Sequence, residues 1–165
     1  MPNLAGLHDP NAGPDDLSRG LARQLSRLRH ARFTYREARL QAGPLAAALL
    51  DRELFATGPQ PARNAAGRRS LLLDGEIFNL QDLARHARLP LVAGEADVDL
   101  LQRLLDRLGE TLFAALNGFF VLVLFDHEDG ALTIVSDRFG FRPLFFAQDG
   151  SRFVFGTELK AVRAG

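Results

Sequence analysis

Two rhythms of apolar and polar positions run along this chain. Leu17, Leu21, Leu25 and Leu28 recur at about four-residue spacing, one helical face, with arginines between them turned to solvent. The loop Asp9–Asp16 precedes them, and Asp15 or Asp16 can cap the helix. The same rhythm returns in Ala96–Leu108, where Val98, Leu101, Leu104, Leu105 and Leu108 share a face. Asp97 sits at the positive end of that helix dipole, and Gly109 is placed for a C-terminal cap. Shorter helices are predicted from Asn79-Leu80-Gln81-Asp82 to about Leu89, closed by Pro90, and at Thr111–Leu116 and Glu158–Val162. Elsewhere the apolar residues run consecutively, as in strands buried on both faces. Phe119–Phe125 is the longest such run, with Asn3–Leu7 and Arg69–Leu73 as further strands. Ala131–Ser136 returns after the turn at His127–Gly130, and Leu144–Ala147 and Arg152–Gly156 flank the turn signal Asp149-Gly150. Leu45–Leu50 fits strand or helix equally. Arg29–Arg39 reads as charged and irregular, Thr57–Gly67 as a loop, and Asp137–Pro143 as an irregular corner. The pattern predicts one domain whose C-terminal half is an antiparallel meander with helices before it.

One interruption stands out. In Leu71–Asn79 an apolar strand meets Asp74-Gly75-Glu76, two carboxylates around a residue free to take positive φ, before Ile77 and Phe78 resume the apolar run. The expectation is a strand that ends in a small polar turn. Such a turn leaves backbone N–H groups free on a rigid scaffold and commonly carries a ligand site; an ordinary strand-to-helix turn has the same pattern.

Composition narrows the chemistry. Lys plus Arg and Asp plus Glu are both 20, so bulk charge draws the chain to neither nucleic acid nor an anionic membrane. With no cysteine there is no disulfide framework, thiolate zinc site or thiol nucleophile. His8, His30, His86 and His127 show no metal-ligand spacing, so neither metal nor cofactor is expected. No apolar run can span a bilayer and the first residues are unlike a signal peptide, so a cytoplasmic protein is expected. The basic face of the Leu17–Leu28 helix could meet something acidic, though a solvated face is the plainer reading. Asp137-Arg138-Phe139-Gly140 has the look of a kinase motif but lacks the accompanying Gly-rich and catalytic loops.

Taken together, a set of landmarks resembles a known family. They are Ala5-Gly6, Asp74-Gly75-Glu76-Ile77-Phe78-Asn79, Ala96-Asp97 before a Leu-rich helix, Leu116-Asn117-Gly118-Phe119-Phe120, Asp137 through Phe146, and Glu158-Leu159-Lys160-Ala161. In this order they are similar to the N-terminal glutaminase domain of asparagine synthetase, a class II glutamine amidotransferase. The resemblance is strong from about Leu71 onward. It implies an α+β fold of four αββα layers, two antiparallel sheets packed face to face between helices, the N-terminal nucleophile hydrolase architecture. It also implies a single glutaminase-like domain over residues 1–165, with the synthetase domain absent.

The family's chemistry uses a cysteine at residue two, whose thiolate attacks the glutamine amide while its own α-amine acts as base. Here the opening reads Met1-Pro2-Asn3-Leu4-Ala5-Gly6, and Pro2 carries no nucleophile. A processed terminus would present the secondary amine of Pro2, a base or iminium former; drift after loss of the cysteine is the plainer explanation. The family turn Asn-Gly-Glu supplies an oxyanion hole from the Asn amide and the Gly N–H. Asp74 replaces that Asn, and an ionised carboxylate has no hydrogen to donate. The family arginine that pairs with the glutamine carboxylate has no counterpart in register; Arg52 in Leu49-Leu50-Asp51-Arg52-Glu53-Leu54 is the nearest candidate. Of the family's Arg-His-Arg-Gly-Pro-Asp loop only Arg29-His30 remains. Gly75, Glu76 and Asp97 remain of the pocket, the carboxylates matching those that grip the glutamine amine. The resemblance thus implies a degenerate copy with a vestigial glutamine pocket of Asp74, Gly75, Glu76, Asp97 and Arg52. Its expected partners are a separate synthetase-type chain or a second copy, with an amino acid or peptide as pocket ligand. The alternative is an active, asparagine synthetase-like amidotransferase that hydrolyses glutamine and supplies ammonia.

Overall fold

A computed structural model of the protein describes residues 3–30, 33–51 and 58–165. Its strands are β1 (Asn3–His8), β2 (Arg36–Ala42), β3 (Leu45–Asp51), β4 (Ala62–Arg63), β5 (Arg69–Ile77), β6 (Gly118–Asp126), β7 (Leu132–Ser136), β8 (Phe145–Asp149) and β9 (Arg152–Gly156). The helices are α1 (Pro14–Leu28), α2 (Leu80–His86), α3 (Asp97–Leu108), α4 (Thr111–Ala115) and α5 (Leu159–Val162). All strand pairs are antiparallel. One sheet has the order β2-β3-β1-β9-β8 and the other β4-β5-β6-β7.

Three hydrophobic clusters show how these pieces stack, because each central strand sends alternate residues to opposite faces. Ala5 and Leu7 of β1 and Ala46, Ala48 and Leu50 of β3 pack outward under Leu17, Leu21, Leu25 and Leu28 of α1 and Ala161 and Val162 of α5. Leu4, Leu45, Ala47 and Leu49 face the other way and meet Leu72, Val121, Val123 and Phe125 across the sheet-to-sheet interface. Leu71, Leu73, Ile77, Phe120, Leu122 and Leu124 close the far side beneath Leu80 of α2, Val98, Leu101, Leu104 and Leu105 of α3 and Leu112 of α4. The result is the expected four-layer αββα sandwich. Continuous apolar runs are required because β1, β3, β5 and β6 are covered on both faces. Gly6 is required at the interface: a Cβ there would lie 2.3 Å from the Phe155 ring and 2.8 Å from Ala47 Cβ.

Four local expectations are corrected. Arg36–Ala42, which overlaps the end of the Arg29–Arg39 stretch read as irregular, is the edge strand β2. An edge strand needs a partner on one side only and can expose charges such as Arg36 and Arg39 while burying Leu40. The last four strands do not form one meander: β6 and β7 lie in one sheet and β8 and β9 in the other, so residues 137–144 cross between sheets. In the Thr57–Gly67 stretch, the described part holds a cis Gln60–Pro61 bond and the short strand β4; Thr57 lies outside the described residues. Helix α1 begins at Pro14 with Gly13 as cap, so Asp15 and Asp16 occupy its first turn, where they favour the dipole without capping it. No helix among the described residues is long and apolar enough to cross a membrane.

Candidate functional site

Asp74-Gly75-Glu76 is not a turn. β5 runs through it unbroken to Ile77, with Asp74 opposite Val121, Gly75 opposite Phe120 and Glu76 opposite Phe119. Gly75 makes this possible at φ +118°, where a Cβ would sit 2.0 Å from the Phe119 carbonyl oxygen. Gly118 opposite makes the same close approach, 2.1 Å from the Glu76 carbonyl. The strand ends at Ile77, and Asn79 two residues later is the cap of α2. There the Asn79 side chain accepts from Asn117 N–H and donates to the Ala115 carbonyl, both at 2.9 Å.

Alternation along β5 turns Asp74 into the sheet-to-sheet interface, the side that Leu72 fills two residues earlier. Asp74 is fully buried there. A buried carboxylate needs a partner, and Arg142 supplies it: its Nη2 donates to both carboxylate oxygens at 2.5 Å. Burial pushes the Asp74 carboxyl up to about 6, although the Arg142 charge and hydrogen bonds pull it down. Asp51, at the end of β3, adds a smaller upward push.

Arg142 reaches this place because of Asp137. The chain leaves β7 at Ser136 and folds around the Asp137 carboxylate, which accepts backbone N–H bonds from Phe120, Phe139, Phe141 and Arg142 at 2.9–3.3 Å. Burial alone would raise this carboxyl; the four backbone donors outweigh it and hold it below the ordinary range. The corner that crosses between the sheets is therefore wound on one side chain, and Arg142 within it delivers the guanidinium. It also leaves Phe139 and Phe141 on the surface, 77% and 72% exposed, beside Phe78 at 59%. With Phe119 these rings line a groove of about 490 Å³ that opens next to Arg142. A second cleft, of about 520 Å³, reaches from Arg142 past Asn3, Thr157, Tyr35 and His30 to Glu158.

The other expected residues fall around the same end of the sandwich. Asp97 is the first residue of α3. Burial, and then the Glu76 charge, push its carboxyl up, so these two carboxylates share one electrostatic environment. Gly58 packs against Ala96 just before Asp97, and the Gln60 side chain bonds both the N–H and the carbonyl of Leu73, at 2.6 and 2.9 Å. The structure thus gathers Asp74, Gly75, Glu76 and Asp97, while Pro2 and Arg52 lie outside the described residues. Sequence reasoning did not find the Arg142 pairing, the Asp137 hub or the Gln60 clasp. A carboxylate inside an apolar strand was the signal that a cation had to meet it. Among the described residues no group of acidic and histidine side chains could hold a metal ion.

Two antiparallel sheets between helices, with a polar cluster at the end where β1 begins, define an N-terminal nucleophile hydrolase-type sandwich. The model of the glutamine amidotransferase domain family matches residues 1–165, and the chain belongs to that family. Among curated proteins it is 31% identical over 97 residues to asparagine synthetase [glutamine-hydrolyzing] 3 of Bacillus subtilis, covering 58% of this chain and 16% of that protein. It is 32% identical over 111 residues to an asparagine synthetase of Triphysaria versicolor, covering 65% of this chain and 18% of that one. The chain therefore matches less than a fifth of the length of these relatives. Among solved structures, the glutamine phosphoribosylpyrophosphate amidotransferase of Bacillus subtilis superposes with a TM-score of 0.74 at 15% identity, over 98% of this chain and 43% of that one. The chain is a glutamine amidotransferase domain related to asparagine synthetase.

Proposed function

We propose that this domain no longer hydrolyses glutamine and works by binding, as a regulatory partner of an asparagine synthetase-type, ATP-using amide-forming enzyme. The observation that carries the reading is the buried Asp74–Arg142 pair. At the place where the family uses an amide hydrogen, this chain has a carboxylate with both oxygens engaged by a guanidinium. It offers no donor to a developing oxyanion, and loss of one such donor costs on the order of a hundredfold or more in rate. The absence of any cysteine, with Pro2 at the nucleophile position, points the same way.

Two features support a binding role. Phe78, Phe139 and Phe141 form an exposed aromatic surface beside the pocket, the kind of apolar patch that marks interaction sites. Glu76 and Asp97 persist as a carboxylate pair suited to an amine, so an amino acid or a peptide N-terminus is the ligand class for the vestigial pocket. The test is co-expression of the full chain with a synthetase-type chain from the same source. Stoichiometric co-elution with a changed rate of amide synthesis is the expected result. A chain that elutes alone, or only as a self-associated species, at micromolar concentration overturns the partnership.

A further inference from the structure

A second constellation lies on the α1–α5 face, built on the arginines that the helical pattern placed outside. Arg27, in the last turn of α1, faces Lys160 and Arg163 of the C-terminal helical turn across a cleft of about 410 Å³ closed by Ala164. Arg23, one turn earlier, donates from Nε to the Ala164 carbonyl at 3.1 Å and so ties the two segments together. Several cations elsewhere on the surface have acidic partners: Arg19 has Asp16, Arg29 has Glu37, Arg85 has Asp82 and Arg103 has Glu95. In the cleft only Lys160 does, its Nζ 2.8 Å from Glu158. Among the described residues, Arg27 and Arg163 have no carboxylate within ion-pair distance. In a chain of zero net charge, two unneutralised guanidiniums and an ammonium are thus held around one volume. Like charges gathered this way repel, and a doubly charged anion between them removes the repulsion. Guanidinium forks suit a phosphoryl group in particular, since each can give two parallel N–H bonds to its oxygens.

We propose that this cleft binds the phosphoryl groups of a small oligophosphate ligand through Arg27, Lys160 and Arg163. The ligand's source is either free pyrophosphate or the tail of a nucleotide, both of which present the same group. The site is distinct from the Asp74–Arg142 end and does not depend on the loss of glutaminase activity.

The test is calorimetric titration of the full chain with sodium pyrophosphate and, separately, with ATP, in 50 mM and 200 mM NaCl. Saturable binding to one or both, weaker at the higher salt, is expected. Arg27→Ala and Arg163→Ala each weaken it roughly tenfold or more, the scale of losing a charged hydrogen bond. Arg19→Ala, on the same helix but outside the cleft, changes it less than twofold, and matching melting curves establish that the variants fold. Binding of pyrophosphate alone identifies the free anion as source, and tighter binding of ATP identifies the nucleotide. Absence of saturable binding to either, or equal losses in all three variants, overturns the proposal.

Discussion

Replacing Arg142 by Leu would isolate Asp74 in the interior while keeping bulk at the position and leaving the Arg142 backbone N–H bond to Asp137 in place. Asp74 is 0% and Arg142 5% exposed, so water cannot substitute for the lost partner. Removing one member of a buried ion pair costs about 3–5 kcal/mol. The ceiling can be worked independently, because the stranded carboxylate can take up a proton instead. Protonating a group whose ordinary value is 3.8 costs about 5 kcal/mol at pH 7.5 and about 1.6 kcal/mol at pH 5. Urea unfolding should therefore show R142L destabilised by about 3–5 kcal/mol at pH 7.5 and by less than about 2 kcal/mol at pH 5. The double change Asp74→Leu with Arg142→Leu, apolar on both sides, should recover most of the loss, a coupling on the order of 2–3 kcal/mol. An R142L penalty below about 1 kcal/mol at pH 7.5, or one that does not shrink on acidification, refutes the reasoning.

The remaining expectations concern the same end of the fold. Because the folded-state Asp74 carboxyl is raised from 3.8 to about 6, its favourable contribution is present below about pH 4 and is lost as pH rises through about 6. Wild type should accordingly gain up to about 3 kcal/mol relative to Asp74→Asn between pH 7.5 and pH 4 in paired urea titrations, and a pH-independent difference would contradict this. Asp137→Ala strips the acceptor from four backbone N–H groups; a loss of about 3 kcal/mol and fast hydrogen exchange at Phe139, Phe141 and Arg142 are expected. Native-like protection of those amides would count against the hub. Gly75→Ala drives a methyl into the Phe119 carbonyl at a positive φ and should cost more than about 3 kcal/mol, read as a melting-point drop of roughly 6 °C or more.

The legible part of the fold was the part fixed by local periodicity. The leucine stripes of α1 and α3 and the unbroken run of β6 each state their own burial; the structure keeps α3 and β6 with ends shifted by one residue, and α1 begins three residues before Leu17. β2 was hidden because an edge strand may carry charges on its open side, which reads locally as loop. The division of β6–β7 and β8–β9 between two sheets was hidden because a hairpin does not record which sheet it joins. At the site, Asp74, Gly75 and Glu76 were found through their resemblance to a family turn and Asp97 through the Ala96-Asp97 landmark before the Leu-rich helix, and the structure sets Asp97 within electrostatic reach of Glu76. The turn itself was misread: a glycine flanked by carboxylates looks like a chain reversal, and only the Phe119 carbonyl against Gly75 shows a strand continuing. The partner of Asp74 lies 68 residues away, in a corner whose winding depends on Asp137, and no spacing rule spans that separation. Burial of a carboxylate in an apolar strand demanded a cation without saying which one.

The proposed loss of amide-splitting chemistry can be examined in a single turnover. The full chain, in stoichiometric excess, is incubated with glutamine carrying ¹³C at the side-chain carbonyl, and the carbon spectrum is followed at pH 7.5. The expected result is an amide signal that persists unchanged, at the rate of the protein-free control. Growth of the glutamate carboxylate signal above that control, saturating with protein, would contradict the proposal that this domain is a binding module.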